Sequence, residues 1–144
     1  MPYTFRGFFT KYADGLMVAA SQRWPGASVR QIHEPLEGIG LRMPDVNPSD
    51  PSQFMMVMEC ESELLAWTTN YPSLKFVYVE AHCHGGSCIY TGYVCQNGEI
   101  IAKEAPSDPD CVRNPGILTQ LFCHLDVQLS EEEHFRPFER NYPW

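Results

Sequence analysis

The clearest pattern in the chain is a pair of β-rich runs, Leu74 to Cys83 and Cys88 to Gln96, joined by His84-Gly85-Gly86-Ser87 and followed by Asn97-Gly98 and a third run, Glu99 to Glu104. Gly-Gly and Asn-Gly are strong hairpin signals, because a type I′ turn needs positive φ at both central residues. A meander of three antiparallel strands follows. A two-residue Gly-Gly turn places Cys83 opposite Cys88, Ala81 opposite Tyr90 and Val77 opposite Val94, and a four-residue loop gives the same pairing. The Asn-Gly turn places Val94 opposite Ile101 in the same way. Side chains alternate across a strand, so Val77, Val79, Ala81, Cys83, Cys88, Tyr90, Gly92, Val94 and Ile101 make a core face. The opposite face collects Phe76, Tyr78, Glu80, His82, His84, Ile89, Thr91, Tyr93, Cys95, Ile100 and Ala102, and its mixture of acid, imidazole, phenol and hydroxyl marks a candidate recognition surface.

Elsewhere the periodicity predicts a strand over Tyr3 to Phe9, a helix from about Tyr12 to Trp24 ended by Pro25-Gly26, and strands over Ser28 to His33 and Gly38 to Met43. Pro44 to Ser52 contains three prolines and reads as an exposed loop. Phe54 to Cys60 reads as a strand, and Glu61 to Tyr71 as a helix with Leu64, Leu65 and Thr68 turned inward and Pro72 as its stop. Past the turn formers between Pro106 and Asp110, Asn114 and Pro115 offer an N-cap and first turn. Ile117, Leu118, Leu121, Phe122 and Leu125 supply that helix's apolar stripe. Ser130 and Glu133 form a candidate capping box, and Phe135, Phe138, Tyr142 and Trp144 are expected to pack back on the body. The expected fold is α+β, a mostly antiparallel sheet of about five to seven strands with two or three helices packed on one face. Its core should include Leu16, Leu64, Leu65, Val77, Val79, Ile101, Leu118, Leu121 and Phe122.

At 144 residues the chain reads as a single domain over 1–144, large enough to bury a core without metal or disulfide staples. The formal charge of −8 argues against nucleic acid, whose phosphates are met by clustered Lys and Arg, and toward solubility or a basic protein partner. No apolar run is long enough to cross a membrane, and the N-terminus lacks the apolar core of a secretory signal, so the expected compartment is the cytoplasm. Six cysteines (Cys60, Cys83, Cys88, Cys95, Cys111 and Cys123) show no CxxC spacing. Reduced, buried thiols are the default there.

Three kinds of chemistry compete with a purely structural role in this region. Glu80, His82 and His84 alternate along one strand face and could offer ligands to zinc, with Cys123-His124 as further donors if the last helix lies near. Cys83 and Cys88 face each other beside the turn, where a cross-strand disulfide is geometrically open and two flanking histidines could favour thiol redox chemistry, against buried, inert thiols as the default. A Cys–His pair could act as a nucleophile, yet no cysteine sits in a nucleophile motif, and no P-loop, dinucleotide glycine pattern, HExxH or GxSxG occurs. Enzymatic activity is therefore unsupported, and no cofactor is assigned.

The stretch ELLAWTTNYPSLKFVYVEAHCHGGSCIYTGYVCQNGEII, Glu63 to Ile101, resembles a pattern in immunity-type and related small bacterial proteins. There a helix ending in a Tyr/Phe-Pro step precedes a strand, a short Gly-Gly-x-Cys turn and a second strand that ends at a glycine turn. His84 stands where that pattern usually carries an aromatic. The resemblance implies a non-enzymatic protein that binds and neutralises a toxin. On that reading Tyr78, Glu80, His82, His84, Thr91 and Tyr93 are the binding residues, the tyrosines acting as anchors.

Overall fold

The computed structural model describes residues 3–33, 36–44, 62–84, 87–104, 116–129, 136–138 and 142–144. The expectations for Phe54 to Cys60, for most of the proline loop, for the turn formers of 106–110, and for Asn114, Pro115, Ser130, Glu133, Phe135, Cys60 and Cys111 fall outside them. Six strands, β1 (Tyr3–Lys11), β2 (Ser28–Ile32), β3 (Gly38–Arg42), β4 (Phe76–His84), β5 (Ser87–Gln96) and β6 (Glu99–Glu104), form one antiparallel sheet in the order β2-β3-β1-β4-β5-β6. Among the described residues three α-helices accompany it, α1 (Leu16–Arg23), α2 (62–68) and α3 (Ile117–Cys123), with a short 3-10 helix at Arg136–Phe138. The α+β architecture and antiparallel sheet are those the sequence predicts. Among the described residues no helix is long and apolar enough to cross a membrane.

The helices do not gather on one face as expected; they divide between both. Strand β1 shows why: Phe5 and Phe9 belong to one core cluster and Phe8 to the other, as alternation along a strand requires. The first cluster joins Val77, Val79, Ala81, Tyr90 and Val94 to Ile117, Leu118, Leu121 and Phe122 of α3. The C-terminal aromatics Phe138, Tyr142 and Trp144 pack against it, as expected. A Cβ on Gly40 would lie 2.8 Å from the Trp144 ring and 3.0 Å from Phe9, so the glycine leaves room for that ring. Trp144 donates from Nε1 to the Pro137 carbonyl at 2.8 Å, and Arg30 donates from Nε to the Pro143 carbonyl at 2.8 Å.

The second cluster sets Leu16, Ala20 and Trp24 of the α1 region and Leu64 and Trp67 of α2 on Phe8, Ile39, Leu41, Phe76, Tyr78, Tyr93 and Cys95. Trp24 and Trp67 meet edge to face at 5.0 Å, and both rings contact Phe8. Thr68 is buried; its hydroxyl donates to the Leu65 carbonyl at 2.7 Å and accepts from Gly98 N–H at 2.8 Å, which ties α2 to the β5–β6 turn.

Packing, rather than side-chain capping, holds α1 and α3. α1 and α3 begin at the left-handed glycines Gly15 and Gly116, with no side-chain cap hydrogen bond. A good N-cap contributes about 1 kcal/mol, whereas one fully buried Phe, such as Phe122, contributes roughly 1.5–3 kcal/mol. A helix of seven residues is marginal without such burial.

The β4–β5 register matches the expected one: Cys83 faces Cys88, Ala81 faces Tyr90 and Val77 faces Val94. Asn97 and Gly98 take φ of 52° and 81°, the positive pair a type I′ turn requires. Beyond that turn the pairing starts as expected, Gln96 with Glu99 and Cys95 with Ile100, and then shifts, so that Ala102 and not Ile101 faces Val94. The irregularity at Val94/Cys95 releases Ile101 from the core; it is 45% exposed. Leu65 is half-buried at the margin of the second cluster, and the other expected core residues are buried.

Candidate functional site

The face of β4 and β5 that carries the polar residues changes character along its length. Phe76 and Cys95 lie under the helices, and so do Tyr78 and Tyr93, which are 2% and 8% exposed. These two tyrosines stack at 4.9 Å with planes 21° apart. Covered by α1 and α2, they are not surface anchors, which corrects the role the sequence suggested for them. Beyond them the face opens. Glu80 pairs with Thr91 and His82 with Ile89, while β1 sets Arg6 beside Glu80 and Thr4 beside His82. Thr4 and His82 are exposed; Arg6, Glu80, Ile89 and Thr91 are half-buried. His84 ends β4, its backbone paired with Ser87.

Tyr78 connects the buried and open halves. Its hydroxyl donates to Glu80 Oε1 at 3.1 Å, so a core ring fixes a surface carboxylate. Arg6 donates from Nη2 to the Pro44 carbonyl at 3.3 Å, and its Nε is buried with no hydrogen-bond partner among the described residues. Strands thus hold a cation, a carboxylate, an imidazole, hydroxyls and one aliphatic side chain on a common surface. Side chains on strands are presented with less play than those on loops. Thr4 and Arg6 were not among the sequence candidates, because they meet His82 and Glu80 only through the β1–β4 pairing of strands distant in the chain.

The other expected chemistries come together less well. α3 packs on the opposite face of the sheet, so Cys123 and His124 stand on the wrong side to join Glu80 and His82. Among the described residues no group of three or more His, Cys, Asp or Glu side chains could hold a metal ion. Cys83 and Cys88 are joined in a disulfide with Cα atoms 4.0 Å apart, which corrects the expectation of reduced thiols for this pair. They lie on the α3 face, opposite to their neighbour His82. Cys95 is buried, and burial pushes its thiol up to about 12, far from a nucleophile's range.

A cleft of about 550 Å³ lies away from these residues, lined by Lys11, Tyr12, Leu36, Glu37 and Leu125 to Gln128. Lys11 and Asp126 form an ion pair there at 2.9 Å, and His33 meets Glu37 at 2.8 Å nearby. None of the sequence-derived candidates lines it.

No family model, no curated protein and no solved structure matches the chain.

Proposed function

We propose that the chain is a non-enzymatic protein-binding module whose contact surface is the open end of the α1/α2 face: Thr4, Arg6, Glu80, His82, Ile89 and Thr91. The observation that carries this reading is the Tyr78–Glu80 hydrogen bond at the border of that surface, which anchors a half-buried carboxylate to a stacked, buried aromatic pair. Pre-organised polar groups lose little entropy on binding. The net charge of −8 attracts a basic protein at long range, while the opposite charges of Arg6 and Glu80, side by side on neighbouring strands, fix its orientation at contact. In its finer form the reading is that of an immunity-type protein that neutralises a toxin, as the resemblance over Glu63 to Ile101 implies. It acts without a cofactor, in the cytoplasm.

The test is site-specific photo-crosslinking in the native host. A photoreactive phenylalanine replaces Ile89 in one variant and Val18, exposed on α1, in another. The reading expects one dominant heterologous adduct at position 89, absent at position 18 and lost when Arg6→Glu is added. Identical adduct patterns at both positions, or none, would sink it. Native mass spectrometry of untagged protein purified without chelator separates off the metal alternative: stoichiometric transition metal, lost in His82→Ala/His84→Ala, would put zinc binding in its place.

A further inference from the structure

The Cys83–Cys88 disulfide is placed unlike a structural staple. It joins residues that the β4–β5 register already holds opposite each other, and it spans only five positions of the chain. The entropy a cross-link removes from the unfolded chain grows with the loop it closes, so this bond is among the least stabilising a protein can form. Nor does the fold lack other support: two apolar clusters, one on each face of the sheet, are built from all six strand neighbourhoods and three helices. Both sulfur-bearing residues are half-buried rather than enclosed, and their pair is next to the one that ends the strands. Disulfides that are not enclosed and do little for the fold are the ones available for exchange.

We propose that Cys83 and Cys88 form a reversible redox site whose reaction partner is a cellular dithiol reductant. A thiolate of the reductant attacks one sulfur of the disulfide. The Cys83–Cys88 bond breaks, its electron pair leaves on the other sulfur, and that sulfur takes up a proton. The reductant's second thiolate then attacks its own sulfur in the mixed disulfide and releases the second cysteine, which is protonated in turn. Two electrons and two protons pass to the chain, and the reductant leaves as a disulfide. Two thiols cannot stay at bonding distance, so the end of the hairpin loosens. His82 and Ile89 are the neighbouring cross-strand pair. If the interaction surface is where we place it, reduction therefore disorders its outer half while Glu80, tied to Tyr78, stays in place.

The experiment uses the whole chain and no binding partner. Oxidised protein is exposed to dithiothreitol, and separately to a thioredoxin-class protein with its recycling system, at neutral pH without denaturant. Thiols are trapped by alkylation at intervals, and the Cys83 and Cys88 peptides are weighed. Far- and near-UV circular dichroism follow the fold, and hydrogen exchange follows the amides of 82–90. The proposal expects complete reduction at least tenfold faster than global unfolding, unchanged circular dichroism, and faster exchange confined to 82–90. The Cys83→Ser/Cys88→Ser variant is expected to show the same local exchange. Reduction that occurs only at denaturant concentrations that unfold the chain overturns the proposal, as does reduction that leaves exchange at 82–90 unaltered. Either failure leaves the crosslinking test of the interaction surface untouched, and failure of that test leaves this chemistry standing.

Discussion

Leu121 of α3 seats directly on Gly92 of β5: a Cβ built on that glycine would lie 2.8 Å from Leu121 Cδ1 and would also run into the Tyr78 carbonyl. The last helix can lie this close to the sheet only because the strand has no side chain there. A glycine inside a strand often marks such an approach. Gly92→Ala is expected to cost about 1–3 kcal/mol, as overpacking of a filled core does. Urea unfolding reads it as a lower midpoint at unchanged slope. Combining it with Leu121→Ala should not restore the stability of Leu121→Ala alone, because the Tyr78 carbonyl still blocks the new methyl; full restoration would show that α3 is the only obstacle.

The shift in the β5–β6 register makes a second prediction. Ile101 lies outside the core while Val94 is fully buried opposite Ala102. Ile101→Lys should change stability by no more than about 0.5 kcal/mol, the usual range for surface positions. Val94→Ala should cost about 2 kcal/mol through lost transfer energy and a cavity. An equal, large loss from both variants would mean that Ile101 packs inward after all. Bulges and charges are also how proteins blunt an edge strand, and β6 carries Glu99, Lys103 and Glu104 beside its irregularity.

These positions show what could be read from the chain and what could not. The second turn is legible because Asn-Gly specifies backbone conformation locally, and the β4–β5 register is legible because the Cys83-to-Cys88 spacing admits only an even loop. The bulge is not, since nothing local in Glu99 to Glu104 announces an extra residue. The coverage of both sheet faces is hidden for a different reason. Alternation sorts residues by face, yet on β4 the polarity changes along the strand: Phe76 and Tyr78 are aromatic and covered, Glu80 half-buried and His82 exposed. A run such as Phe76-Val77-Tyr78-Val79, apolar on both faces, is the signature of a strand buried on both sides. Arg6 and Thr4 joined the site only through pairing distant in sequence. The spacing of Cys83 and Cys88 allowed a disulfide, but spacing does not specify oxidation state.

The buried thiol of Cys95 gives an alkaline prediction. Its Sγ lies 3.7 Å from the Phe76 carbonyl, and desolvation raises its pKa from 9.0 to about 12. A group whose folded pKa lies above its unfolded one stabilises fully below the unfolded value and loses that contribution as pH rises toward the folded value. Stability should therefore fall between pH 9 and about 12, and Cys95→Val should flatten that part of the curve. In native protein at pH 8, iodoacetamide should modify exposed Cys123 and spare Cys95, as peptide mapping would reveal. Equal labelling of the two would contradict the buried placement.

At the other end of the pH scale the relevant group is Asp126. Its carboxylate accepts a hydrogen bond from Lys11 Nζ at 2.9 Å; that bond, and then the lysine's charge, hold its pKa below the ordinary aspartate value. The sign is opposite to that of Cys95. A depressed folded pKa contributes stability that is present above the unfolded value and is lost as pH falls through the folded one. The pair is solvent-exposed, so its contribution is small and partly screened by salt. Carboxyl NMR resolves it where a melting curve does not. Asp126 should titrate below the ordinary aspartate value, and Lys11→Met should move its midpoint up toward that value. Asp126 sits at φ 60°, a conformation Asn adopts at least as readily. Asp126→Asn should therefore keep the local backbone while removing the titration, and the acid limb of the stability curve should become shallower by that one group. A midpoint unchanged by Lys11→Met would show that the contact does not persist in solution.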